Sequence, residues 1–153
     1  MNKKGLILRD FRDLYNKMVW LNNSMMCDKF GDLKSSEVHC IEYIGSNADS
    51  NVTQLAEAFY MTKGAISKLT NKLIKKGFIE NYQMQDNKQK VYFRLTPQGQ
   101  EIYGIHEEMH KEFSERDKII FEQISEEQFC DMSKFVENYN RHLDAEIEKI
   151  KQK

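Results

Sequence analysis

The chain has 153 residues, 40% apolar and 31% charged, with seven Gly and one Pro. That composition suits one compact domain with helical arms and excludes collagen-like, disordered and turn-rich all-β chains. The net charge of −1 conceals a division, because residues 61–94 hold eight bases against two acids, a net +6, which leaves −7 on the remainder.

The opening residues Met1-Asn2-Lys3-Lys4 run into Arg9, Asp10, Arg12 and Asp13 with no apolar stretch or small-residue cleavage site, so no secretory leader is expected. Leu8, Phe11, Leu14, Tyr15, Met18, Leu21 and Met25 recur at three- and four-residue steps and predict an amphipathic helix over residues 5–28. A turn at Lys29-Phe30-Gly31-Asp32 precedes a second helix, capped by Ser35 or Ser36 and ending at Gly45. Val52, Leu55, Ala56 and Phe59 give a short third helix. Thr62 caps the fourth, whose inner face is Ala65, Ile66, Leu69, Leu73 and Ile74 and which Gly77 ends.

The pattern then becomes extended. Residues 78–84 and 90–95 read as strands, with the polar tip 85–89 between them. Thr96-Pro97 restarts a helix running to about Phe121, and Ser125 with Gln128 opens the last one as a capping box. The fold class expected is mainly α with a small β-hairpin. Residues 1–46 are expected to form N-terminal support helices, 47–97 a winged helix-turn-helix, and 98–153 C-terminal helices, all in one continuous folding unit.

Two short helices, a tight turn and a hairpin suit duplex DNA, because a major groove admits one α-helix. On the fourth helix Thr62, Lys63, Gly64, Ser67, Lys68, Asn71 and Lys72 share the polar face. Gly64 permits close approach, and the hydroxyls and lysines can bond phosphates or base edges. Lys88 and Lys90 extend the surface along the hairpin, and Arg94 either braces that hairpin or touches phosphate. A basic block in an acidic chain is the footprint of a polyanion partner, although a solvated lysine-rich helix face has the same composition.

At these residues the chain resembles the MarR family of transcriptional regulators. The resemblance is carried by Val52-Thr53-Gln54-Leu55-Ala56, Thr62-Lys63-Gly64-Ala65-Ile66-Ser67-Lys68-Leu69, Leu73-Ile74-Lys75-Lys76-Gly77-Phe78-Ile79, and the wing from Asp86 to Gly99. It implies a cytoplasmic homodimer in which residues 1–46 and 98–153 supply the dimerisation helices, with two reading helices about one DNA turn (~34 Å) apart on a near-palindromic operator, more often a repressor than an activator. The family's wing usually carries Asp-x-Arg. Here it is Asp86-Asn87-Lys88, which keeps the charge but loses the planar fork suited to a narrow minor groove.

His106 and His110 lie one helical turn apart and can chelate zinc or a similar divalent ion if a third ligand comes from elsewhere. The resemblance implies that the second helix and the helix after the wing pack together, which brings His39 to that pair, as in the family's zinc-responsive repressors. Cys27 falls where that subgroup has a second-site ligand. An acidic ligand expected in the first helix is Leu21 here, and the residues expected beside Cys27 are Val38 and Ile105. Glu42, Glu107 or water would complete the first site, and ordinary polar packing of the histidines is the alternative. A small apolar or phenolic effector in the cleft between arms and winged domain is a second route to regulation.

Rival functions are weaker. No phosphate-binding glycine loop, nucleophile elbow or HExxH is present, so an enzyme is not expected. Cys27, Cys40 and Cys130 are widely spaced, lack any CxxC pairing and read as reduced cytoplasmic thiols, with a cysteine-based redox sensor as an alternative. A winged-helix module that binds protein is disfavoured by the lysine block. No run approaches the ~18–20 apolar residues of a membrane helix, so no membrane partner is expected.

Overall fold

A computed structural model describes residues 2–153. The elements in order are α1 (Lys3–Phe30), α2 (Ser35–Ser46), α3 (Val52–Phe59), α4 (Lys63–Lys75), β1 (Ile79–Met84), β2 (Asn87–Leu95), α5 (Pro97–Phe121) and α6 (Glu126–Lys151). The chain divides into two compact units, one ending at His110 and one formed by Lys111–Lys153.

The first unit is organised by a small apolar centre. Cys40, Ile41 and Ile44 of α2 meet Leu55 and Ala56 of α3, Ile66 and Leu73 of α4, Ile79 of β1 and Phe93 of β2. These residues sit at helical or alternating spacing, so each element turns one face inward and leaves its polar face to solvent. β1 and β2 pair antiparallel, from Ile79 opposite Leu95 to Met84 opposite Asn87, with an irregularity between Tyr82 and Met84. Phe93 N–H also donates to Ser50 O at 2.9 Å, which ties the returning strand to the segment ahead of α3.

Several caps sit where the sequence places them. Thr62 Oγ1 accepts from Ala65 N–H at 3.1 Å, and Ser125 with Gln128 forms the reciprocal box at α6. Asn51 and Gln54 make the same box at α3, a cap beyond those expected. Gly77 adopts φ +80° after α4, the left-handed turn that favours glycine. Two expectations are corrected. The N-cap of α2 is Lys34, not Ser35 or Ser36: its backbone N–H donates to Glu37 Oε2 at 2.9 Å, so the acidic residue at the third helical position closes the helix start. The hairpin tip is only Gln85-Asp86, because β2 begins at Asn87, which places Lys88 within the strand.

Two glycines mark close approaches. A Cβ on Gly99 would lie 1.9 Å from Phe78 O, and one on Gly45 would lie 2.5 Å from the Tyr103 ring. The start of α5 thus rests on the backbone at the root of the hairpin, where Thr96 Oγ1 also donates to Gly77 O at 2.5 Å.

The long helices are different. The predicted apolar face of α1 leaves Leu8, Phe11, Leu14, Tyr15, Met18 and Leu21 exposed, and only Met26 and Phe30 of that helix are buried. In the second unit α6 buries none of its residues, while Phe129, Met132, Phe135 and Val136 are exposed.

Candidate functional site: a basic reading surface and a histidine cluster

α4 presents the surface that the lysine block builds. Ile66, Thr70 and Leu73 face the core, and Thr70 is satisfied internally because its hydroxyl donates to Ile66 O at 3.0 Å. That orientation leaves Thr62, Lys63, Gly64, Lys68, Asn71 and Lys75 exposed, with Ser67 half-buried at the edge. Nothing lies within 4 Å of a Cβ built on Gly64, so this position faces open space. On the hairpin Lys88 and Lys90 are exposed as well. A row of ammonium groups on one helix and one ribbon can neutralise phosphates, and the small residues at the start of α4 let its backbone approach a base edge.

Two of the predicted contact residues are engaged inside the protein. Arg94 Nε donates to Glu80 Oε1 at 2.6 Å and its guanidinium lies 5.0 Å over the Tyr82 ring, so it braces the hairpin across both strands. The Tyr82 hydroxyl in turn bonds the Asp49 carboxylate, which raises the phenol's pKa. The Lys72 ammonium sits 3.0 Å from Glu37 Oε1, and Lys76 Nζ donates to Oε1 and Oε2 of the same carboxylate at 3.0 and 3.1 Å. The Glu37 side chain is 1% exposed. Burial alone would raise its pKa, but the Lys34 N–H and the two lysines outweigh that and hold it below the usual value. Sequence reasoning missed Glu37; an acid at the third position of a helix whose predecessor cannot cap it was the available signal.

The histidines converge where α2 meets α5. One ligand atom each from Glu42, His106 and His110 lie within 4.8 Å of one another. The His106 and His110 ring centroids are 4.4 Å apart, and that of His39 lies 5.6 Å from His106. His39 is therefore adjacent to the group without being one of its three converging members. Cys27 is exposed and lies outside it, and so does Glu107. His106 is buried, and neither of its ring nitrogens has a hydrogen-bond partner among the described residues. Burial, then the proximity of His110 and His39, pushes its pKa down to about 4, so the ring is neutral near pH 7. A neutral imidazole with an unsatisfied nitrogen, beside a second imidazole and a carboxylate, is a donor set that fits zinc or a similar borderline cation.

A cavity of about 360 Å³ lies beside this cluster, lined by residues that include Tyr15, Val19, Asn22, His39, Phe59 and Met61. Cys40 is buried, and desolvation raises its thiol to about 12. No helix among the described residues is long and apolar enough to cross a membrane.

Known proteins share this architecture. Residues 33–91 match the model of the MarR family. Two curated Bacillus subtilis proteins are similar in sequence: the HTH-type transcriptional regulator PchR, 34% identical over 72% of this chain and 66% of its own length, and the uncharacterized HTH-type transcriptional regulator YhjH, 36% identical over 63% and 55%. The chain thus spans between about half and two thirds of these relatives. The crystal structure of Streptococcus pneumoniae FabT in complex with DNA superposes with a TM-score of 0.82 at 25% identity, covering 94% of this chain and 99% of that one. These relatives are regulators rather than enzymes, and the family match falls on the two short helices and the hairpin that carry the basic surface. Residues 33–91 thus carry the winged helix-turn-helix of the MarR family of transcriptional regulators.

Proposed function

We propose that this chain is a sequence-specific, double-stranded-DNA-binding repressor that works as a homodimer and whose operator affinity is set by a divalent cation. The observation that carries DNA binding is the exposure of Lys63, Lys68, Asn71 and Lys75 on α4, with its start of small residues, and of Lys88 and Lys90 on β2. The acidic remainder of the chain repels phosphate and so confines contact to that face. The FabT complex with DNA supports the same use of the same fold.

Dimer formation is supported by the apolar faces of α1 and α6, each exposed in a single copy. Faces of this kind are normally covered by another chain. A second copy satisfies both and presents two reading helices to a near-palindromic site.

The regulatory reading rests on His106, a buried imidazole with two unsatisfied nitrogens facing Glu42 and His110. Glu42, His106 and His110 would hold the ion, with His39 alongside. A zinc-class cation there links α2, which packs against α4, to α5. Any difference in cation affinity between two arrangements of these helices then appears as a difference in DNA affinity.

The test is fluorescence anisotropy of purified protein on duplex from its own promoter region, with random duplex as competitor, in zinc and in chelator, paired with light scattering for mass. A dimer with a metal-dependent preference for the promoter fragment supports all three parts. Monomeric protein with no preference for any duplex refutes the DNA reading, and an unchanged preference in chelator refutes the cation.

A further inference from the structure

We infer that Glu37 is a positioning residue for DNA binding: it withholds Lys72 from phosphate and fixes the face of α4 that meets the duplex. This rests on the DNA-binding reading above. Three donors saturate the carboxylate. Lys34 N–H reaches Oε2 at 2.9 Å, Lys72 Nζ reaches Oε1 at 3.0 Å, and Lys76 Nζ reaches both oxygens. Glu37 belongs to the second helix and is buried, whereas Lys72 lies in the last turn of α4 and Lys76 caps that helix. Two ammonium groups drawn to one fixed carboxylate set the roll of α4 about its axis. That roll turns Thr62, Lys63, Lys68 and Asn71 outward.

The charge consequence is specific. Lys72 is half exposed, so by sequence position it belongs to the phosphate-binding row. Moving it to a phosphate strips one charged partner from a carboxylate that water does not reach, and this loss offsets the gain at the duplex. The basic block is therefore larger in sequence than in action, because Lys72 and Lys76 serve α2, Arg94 serves the hairpin, and the duplex meets the others.

The salt dependence of duplex binding reads this directly, since each phosphate neutralised contributes about 0.9 to the slope of log K against log salt, and each change in slope is counted per subunit of the dimer. Lys68→Ala should lower the wild-type slope by about one unit, and Lys72→Ala should leave it in place. Glu37→Gln frees the lysines and should steepen the slope by about one to two units, and adding Lys72→Ala to it should take about one unit back. Glu37→Asp keeps the charge and should return the slope toward wild type. Mere loosening of the fold creates no slope that depends on Lys72. If Glu37→Gln does not fold, the comparison of Lys72→Ala with Lys68→Ala in the wild-type background decides alone. Equal loss of slope in those two variants overturns the inference, as does a folded Glu37→Gln with the wild-type slope. Wild-type protein that binds no duplex instead refutes the DNA-binding reading itself.

Discussion

Replacing His106 by leucine should make the metal-free protein more stable. His106 is 1% exposed, and both ring nitrogens lack a hydrogen-bond partner. An unsatisfied buried polar atom costs about 1–3 kcal/mol, and an apolar side chain of similar size removes that cost. The neighbours favour the exchange, since Met109 and Phe30 are both buried nearby on α5 and α1, with the Phe30 ring centroid 6.4 Å from that of His106. Imperfect packing of the leucine returns about 1 kcal/mol, so a net gain of up to about 2 kcal/mol remains. For a chain of this length each kcal/mol moves the melting temperature by about 2–4 °C. Thermal denaturation in chelator should therefore place His106→Leu above wild type by up to about 8 °C. In zinc the order should reverse. A cation at a hundred times its dissociation constant adds about 2.7 kcal/mol to wild type and nothing to the variant. A His106→Leu protein that melts below wild type in chelator refutes the claim that this imidazole is held at a cost for a ligand.

Thr62 allows stability and duplex binding to be separated. Thr62→Ala removes the cap on Ala65 N–H and should cost about 1 kcal/mol, read as a lower denaturation midpoint. Thr62→Asp keeps the cap, so its stability should match wild type while duplex affinity falls, because the new carboxylate faces phosphate; equal affinity would remove Thr62 from the interface. Lys68→Ala should weaken binding about equally on specific and random duplex, as a phosphate contact does, whereas a loss confined to the specific site would make Lys68 a base reader. Cys40 should resist a thiol reagent in the native protein and react only after unfolding, since it is fully buried and its thiol is raised to about 12. Rapid native labelling of Cys40 would contradict that burial.

The local signals that proved legible are those in which one residue type has one physical use. Thr62 and Ser125 each stand where a helix must satisfy its first amides, and Gly77 where the chain must turn left-handed; the Asn51 cap of α3 is not among those expected. Periodicity found every helix because the apolar faces are regular. It did not show whether a face packs on its own chain, and for α1 and α6 it does not, which only coordinates reveal. The histidine pair was visible from its spacing. Glu42 is among the groups expected to complete the site, and its place there ahead of Glu107 and His39 depends on how α2 lies against α5, a tertiary fact without a local signal. The charge count located the exposed bases but could not see which of them have an internal acidic partner, as Lys72 and Arg94 do.

Gly99 and Gly45 are far more constrained than their distance from the basic face suggests. Each fills a notch in which a single added carbon meets Phe78 O or the Tyr103 ring. A saturation library selected for duplex binding in cells should return glycine at position 99 almost without exception, since its obstacle is main chain. At position 45 substitutes should survive only with a compensating smaller residue at 103. Such a paired exchange would be a genetic signature of helix seating, obtainable without purifying any protein.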